Sequence, residues 1–338
     1  MSTLPSLTNN SPVIKRRPVW VLVFAFLVAA VLLFLTLRGL DWASFWNTVK
    51  TGHYAFLLLT IPIASINFVI RAIRWSVFVR SEKKVPILPI FWANMVGYMG
   101  NAYLPARAGE LLRSVFLGRK SGLGTSFVLA TALAERVLDA VALVLIGSGA
   151  LLILGNSSPL LIGAVRFIAV ASVVLLAVLI FATYREEFLL RLFARLPFSP
   201  AISQRIAEQI SRFLVGMRTL KNIRRMSAFT LLTALIWLID AVGTIIGVRI
   251  ISQTLNLGQA LVLLAALGLS SAIPSTPGYV GVYQFVAVTV LVPFGFSRSE
   301  ALTYILISQV SGYILFGLWG LLGLWQINQN QLENEKGG

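Results

Sequence analysis

The sequence contains no cysteine and a single histidine, His53. Disulfides, thiolate metal sites and cysteine nucleophiles are therefore excluded, and one imidazole is too few for a histidine-rich metal centre. Charge is scarce as well. Only 12% of the 338 residues are charged, against roughly 25% in a soluble domain, and acids are the rarer sign, with 12 Asp and Glu against 28 Lys and Arg. There is no P-loop motif. The longest polar stretch, about residues 184–226, is too short for an ATPase or a nucleotide-sugar-binding domain. No cofactor and no metal are expected.

What the chain has in abundance is apolar sequence, 57% of its residues, with a mean hydropathy of +0.85. Residues 19–37 (VWVLVFAFLVAAVLLFLTL) follow Lys15, Arg16 and Arg17 and are long enough to cross a hydrocarbon core of about 30 Å. The run continues into Arg38 and Asp41 without a cleavage site, so it reads as a retained span rather than a signal peptide. Residues 1–17 read as a disordered cytoplasmic N-terminus. The expected fold is an all-α polytopic membrane protein of about six spanning helices plus two broken, re-entrant segments, with eight spans as the alternative. The spans fall at 19–37, 54–73, 125–154, 159–183, 227–250 and 301–326. The broken segments, 87–105 and 258–294, are apolar but interrupted by Pro, Gly, Asn and Ser, which is tolerated at membrane depth only beside protein or a polar cavity.

One transmembrane domain, 18–326, is expected, with halves of about 18–155 and 156–326, a cytoplasmic amphipathic segment within 184–226 and a polar tail over 327–338. In that segment Ile202, Ile206, Ile210, Phe213, Met217 and Leu220 recur at helical spacing, which fits either a helix on the anionic leaflet or a packed connector. Lys and Arg concentrate before the first span, after the second, after the first broken segment and in 184–226. These places hold 21 of the 28, and by the positive-inside rule they face the cytoplasm together with both termini. The protein is expected in a bacterial or archaeal plasma membrane. The +16 charge is accounted for by this distribution, so no nucleic-acid partner is implied. Lys83, Lys84, Arg119 and Lys120 flank the first broken segment on both sides, so it enters from the cytoplasm and returns; the second opens from the opposite face.

A repeat is visible in the Pro and Gly spacing. Pro105-Ala-Arg-Ala-Gly109 and Pro274-Ser-Thr-Pro-Gly278 lie 169 residues apart, each followed at the same distance by Phe116 or Phe285. An offset of half the chain, with three crossings per half, predicts an inverted repeat of the kind that places a binding site between broken helices. Arg71 and Asp240 match at the same offset, although Asp240 by itself reads as a charge near a helix end.

Charges inside spans mark functional sites by default, at about 2.5–3.5 kcal/mol each on insertion scales. Glu135, Arg136 and Asp139 interrupt the span over 125–154, with Arg136 and Asp139 at a spacing that allows them to pair. Asn101, Arg107, Glu110 and Arg113 cluster around the break between Pro105 and Gly109. Together these residues make a nearly neutral polar set, whose arginines match phosphate oxygens bidentately. Membrane lipids, through a phospholipid or polyprenyl-phosphate headgroup, are the expected partners. Pro105 and Gly109 are read as the turn that aims Arg107, Glu110 and Arg113 into a headgroup cavity. Gly243-Thr-Ile-Ile-Gly247 reads as a small-residue helix contact.

The run Asn101…Pro105-x-Arg107-x-Gly109-Glu110-x-x-Arg113, then Glu135-Arg136-x-x-Asp139, then Pro274-x-x-Pro277-Gly278-x-x-Gly281 resembles the flippase-like family typified by the transmembrane region of lysylphosphatidylglycerol synthetases, over roughly residues 18–326. The resemblance implies an inner-membrane protein, with some members linked to moving modified phospholipids between leaflets and others to polyprenyl-linked glycans or hopanoids. These 338 residues hold no soluble aminoacyl-transferring domain, so lysyl transfer is not an expectation. The common PGGxGxxE ending is altered, with Tyr279 at the second Gly and Gln284 at the acid, which places a proton-coupled role of that position in question. The expected function is lipid handling by a flippase or transporter. The alternatives are a non-catalytic partner of a separately encoded lipid- or glycan-modifying enzyme, or a lipid-linked-sugar transferase.

Overall fold

The computed structural model describes residues 19–104, 107–155, 169–178, 181, 184–185, 218–272 and 276–336. Among them every regular element is helical: α1 (Val19–Leu37), α2 (Trp42–Lys50), α3 (Leu57–Val79), α4 (Ile87–Tyr103), α5 (Ala108–Ser121), α6 (Thr125–Leu154), α7 (Ala169–Val178), α8 (Ile223–Gly247), α9 (Leu257–Ser270), α10 (Val282–Leu291) and α11 (Arg298–Lys336). Five helical stretches are long and apolar enough to cross a membrane, or six if α1 and α2, bent by 90° at Arg38–Asp41, count as one. The chain is thus an all-α integral membrane protein. Large apolar side chains such as Leu58, Ile153, Leu231 and Leu321 lie exposed along the spanning helices, as a lipid solvent allows. The expected disordered N-terminus, Pro105, Pro274, most of the span at 159–183 and the amphipathic run 202–217 lie outside the described residues. The expected polar tail is helical through Lys336, as a continuation of α11.

Helix ends follow local chemistry. Asp41 accepts from the Ser44 amide to start α2, Asn222 caps α8, and Asn256 and Gln259 form a reciprocal capping box at α9. The broken segments are helical hairpins. In the first, α4 and α5 run antiparallel in close contact, because Gly97, Gly100 and Gly109 remove side chains from the interface: a Cβ on Gly109 would stand 1.9 Å from the Gly97 carbonyl oxygen. Lys83 Nζ donates to the Ser121 carbonyl at 2.8 Å, tying the two feet of the hairpin together at one end of the molecule. The segment therefore returns to the side it came from. Gly109 serves this packing from inside the first turn of α5, which starts after its N-cap Arg107, whereas α4 ends at its C-cap Leu104.

The 169-residue offset carries α3 onto α8, α4 onto α9, α5 onto Pro277–Leu291 and α6 onto α11. Packing repeats with it: α4 lies against α11 as α9 lies against α6. The pair α3–α8 maps onto itself. Across it Thr60 lies beside Gly247, Ile63 beside Gly243, Asn67 beside Asp240, Arg74 beside Thr233 and Phe78 beside Phe229. Numbers rise along one helix as they fall along the other, so the helices are antiparallel, and the pairs centre on Val69 and Leu238, themselves 169 apart. A self-matching antiparallel contact requires a two-fold axis across the helices. The halves are therefore inverted with respect to each other, and the second hairpin enters from the face opposite the first.

Candidate functional site

Four arginines and four carboxylates meet inside the bundle, most of them near the crossing of α3 and α8. Asp139, the fifteenth of thirty residues of α6, sits about 22 Å along that helix at 1.5 Å per residue, close to mid-bilayer. Arg74 of α3 clamps both acids of α6: its guanidinium bonds Asp139 through its two terminal nitrogens and reaches Glu135 at 2.9 Å, with Thr233 of α8 at 3.2 Å. Glu135 and Asp139 share a helix face because they stand four apart. Arg113 of α5 takes the other oxygen of Glu135 at 3.1 Å, Asn94 of α4 at 2.8 Å and Glu110 at 2.6 Å, with its guanidinium over the Trp75 ring. Glu110 accepts from Arg136 at 2.7 Å and faces Asn101 at 3.4 Å. Arg71 meets Asp240 at 2.6 Å, and Asn67 holds the other oxygen of Asp240.

Arg74 and Arg113 are 1% exposed, Glu135 3% and Asp139 5%. Charges so buried persist only in pairs, since an isolated one carries a large desolvation cost. Each of the four carboxylates faces an arginine, so none is left as a free metal ligand among the described residues. The edge of the network is more open, with the Arg136 side chain 33% accessible.

The positive-inside count places Arg71 and Arg74 with the basic residues at the cytoplasmic end of the second span. Both lie inside α3, which runs to Val79, and they provide the network's counter-charge. The signal was the apolar VFV that follows Trp75 and Ser76, which prolongs the span past both arginines. Asn94, Trp75 and Thr233 were missed for want of any charge to mark them. Asp240 is a paired interior residue of α8 rather than a charge near a helix end. The expected Arg136–Asp139 pair does not form: the two stand on one helix, and each finds a better-placed partner on another, Glu110 of α5 and Arg74 of α3.

Arg107 stands apart from the network. It precedes α5 in the left-handed conformation (φ 54°, ψ 41°), which is uncommon for any residue but glycine, asparagine and aspartate. Such strain persists when contacts over-determine it. Here the Arg107 guanidinium donates to Ser271 at the end of α9 (3.0 Å) and lies 5.9 Å from the Tyr279 ring centroid. Tyr103, at the end of α4, donates to the Tyr313 carbonyl at 2.8 Å. The tips of the two hairpins thus meet, and Arg107 reaches across the join. No described carboxylate lies within 4.0 Å of it.

The second tip is held by its own polar ladder. Gly278 and Gly281 adopt positive φ in the turn before α10, beginning at Pro277. Gln284 accepts from the Gly281 amide at 2.6 Å and donates to Gln309, while Gln309 and Tyr313 both donate to the Gly278 carbonyl (3.1 and 2.6 Å). The structure thus places Gln284 away from the charged set. Tyr279 is also left-handed (φ 64°), the geometry that suits glycine at this position, and its ring stacks on Tyr283 at 4.8 Å.

These features define a class: a polytopic helical membrane protein built as an inverted repeat, with one helical hairpin from each half meeting the other beside a buried ion network. The chain belongs to the family described as the lysylphosphatidylglycerol synthase TM region, whose sequence profile matches residues 22–320. It is also similar to a UPF0104 membrane protein of Pyrococcus horikoshii, 24% identical over 315 residues, which cover 86% of this chain and 93% of the relative. Membership is consistent with a lipid-related membrane protein.

Proposed function

We propose that the protein moves a phosphate-bearing lipid, a phospholipid or a polyprenyl-phosphate-linked lipid, between membrane leaflets. The observation that carries this reading is Arg107: a guanidinium on a left-handed residue, with no acidic partner among the described residues, at the join of two hairpins that enter from opposite faces. A planar fork held this way matches phosphate oxygens. The inverted repeat supplies what alternating access requires, two related halves around one site. The buried network of Arg74, Arg113, Glu135 and Asp139 serves as the frame, and Arg136 with Glu110 lines its open edge. The protein is read as residing in a plasma membrane with both termini cytoplasmic. The feet of the first hairpin, the end of α3, the start of α8 and the end of α11 lie at one end of the bundle, which carries Arg80, Lys83, Lys84, Arg119, Lys120, Arg224 and Arg225.

The test is leaflet exchange of a fluorescent phospholipid in vesicles reconstituted with the purified chain. Wild-type protein should accelerate exchange over protein-free vesicles. Arg107→Lys, which keeps the charge and loses the fork, should remove most of that acceleration, about tenfold or more, with unchanged yield. Exchange no faster than in protein-free vesicles sinks the transport reading; normal exchange by Arg107→Lys sinks the role of Arg107.

A further inference from the structure

A cavity of about 210 Å³ lies between α3, α8, α9 and α11, on the far side of the α3–α8 crossing from Arg74. Its polar lining is Thr60, Asp240, Thr244, Tyr304, Ser308 and Ser311; the rest is apolar, and no lysine or arginine lines it. Both oxygens of Asp240 are already held, by Asn67 and Arg71.

The repeat explains why there is space here. At the 169 offset Gly243, Thr244 and Gly247 correspond to Arg74, Trp75 and Phe78, Thr60 to Phe229, and Tyr304 and Ser308 to Glu135 and Asp139. One half fills its side of the crossing with large rings and clamped guanidinium; the other leaves it open with glycine and hydroxyl residues. The two glycines are not there to bring helices together, as their spacing suggested. A Cβ on Gly243 would meet Ile63 at 3.5 Å and one on Gly247 would meet Tyr304 at 3.4 Å, ordinary contacts both. Side chains are therefore absent where backbone approach does not forbid them, and the opening is written into the sequence.

We propose that this cavity binds a neutral, hydroxyl-bearing headgroup of sugar or polyol type. Of its five hydroxyls, those of Thr244 and Ser308 bond Tyr304 and that of Thr60 donates to the Leu57 carbonyl at 3.4 Å; each hydroxyl oxygen keeps room to accept, which suits a guest carrying several hydroxyls of its own. The lack of a cation disfavours phosphate, which the reading above assigns to Arg107. The volume equals about seven waters at a liquid share of roughly 30 Å³ each and falls short of the roughly 300–1,000 Å³ that holds a drug-sized ligand, so it admits a single ring rather than a whole lipid. A guest with phosphate and sugar or polyol parts would use both places.

The experiment measures lipid retained by the purified full chain in mixed micelles, by mass spectrometry, with three probes of identical acyl chains: glucosyl diacylglycerol, diacylglycerol and phosphatidic acid. Wild-type protein should retain the glucosyl lipid over diacylglycerol by about tenfold or more, since a site built to hydrogen-bond hydroxyls rejects a guest lacking them. Gly243→Leu, which fills the cavity, should abolish that preference and leave phosphatidic acid retention unchanged. The pair Ser308→Ala with Thr244→Val, which removes hydroxyls and little volume, should do the same. Equal retention of glucosyl lipid and diacylglycerol by wild type, or an intact preference in Gly243→Leu, overturns the proposal. Loss of phosphatidic acid retention belongs instead to Arg107→Lys, and its absence there counts against the phosphate role of Arg107 and not against this cavity.

Discussion

Arg74 shows what a single buried charge does in this fold. It lies against two carboxylates on consecutive turns of α6, and removing it leaves Glu135 and Asp139 sharing a face with only Arg113 to offset them. Arg74→Leu should therefore destabilise the protein by about 3–5 kcal/mol, the cost of breaking a buried pair, read as a lowered midpoint of thermal unfolding in detergent. Arg74→Leu with Asp139→Leu removes one charge of each sign and should recover most of the loss. A double variant no more stable than the single one would show that Asp139 is not the partner that matters. At this scale the sequence was informative where a charge interrupts an apolar run, as at Glu135, Arg136 and Asp139. It was misleading about pairing, because spacing along one helix says nothing of arginines arriving from α3 and α5. Arg107 stands out in the sequence as a candidate, but its left-handed backbone was not readable there, since nothing in the residue type favours it.

Among the elements, the hairpin of α4 and α5 was the most legible. Its Pro, Gly and Asn content marked it as broken, and basic residues on both flanks marked it as returning. The close approach that Gly97, Gly100 and Gly109 permit was not readable, because it depends on which helix faces which. The cysteine-free background allows a direct check. Single cysteines replacing Lys84 and Lys120 should both resist an impermeant thiol reagent in intact cells and both react in inverted vesicles. Labelling of only one in intact cells would mean that the segment crosses the membrane, contrary to the Lys83–Ser121 contact. Gly243 and Gly247 teach the converse lesson, since small residues at helical spacing serve either packing or space, and only the surrounding atoms distinguish the two.

Over the whole molecule, the 169-residue offset proved to be a structural relation. It was detectable because turn chemistry tolerates so few residues that Pro and Gly mark equivalent places even where the rest has diverged. Arg71 and Asp240, matched by that arithmetic, are in contact because they flank the axis. The divergence is also informative, since it separates a filled side of the α3–α8 crossing from an open one lined by hydroxyls.

The clasped hairpin also has a consequence for the order of assembly during synthesis. Arg113 precedes Glu135, its partner on α6, by 22 residues, so the hairpin leaves the ribosome with Glu110 as the only acid to set against Arg107 and Arg113. Seated alone, it would keep one arginine charge uncompensated, at an insertion cost of about 2.5–3.5 kcal/mol. The hairpin should therefore wait at the membrane surface until α6 has entered, and only then seat against α3 and α6 as a closed unit. In a chain carrying Ala93→Cys and truncated after residue 123, a water-soluble thiol reagent should still reach the cysteine, whereas extension past Leu154 should protect it. Protection already present in the shorter chain would mean that α4 and α5 seat without α6.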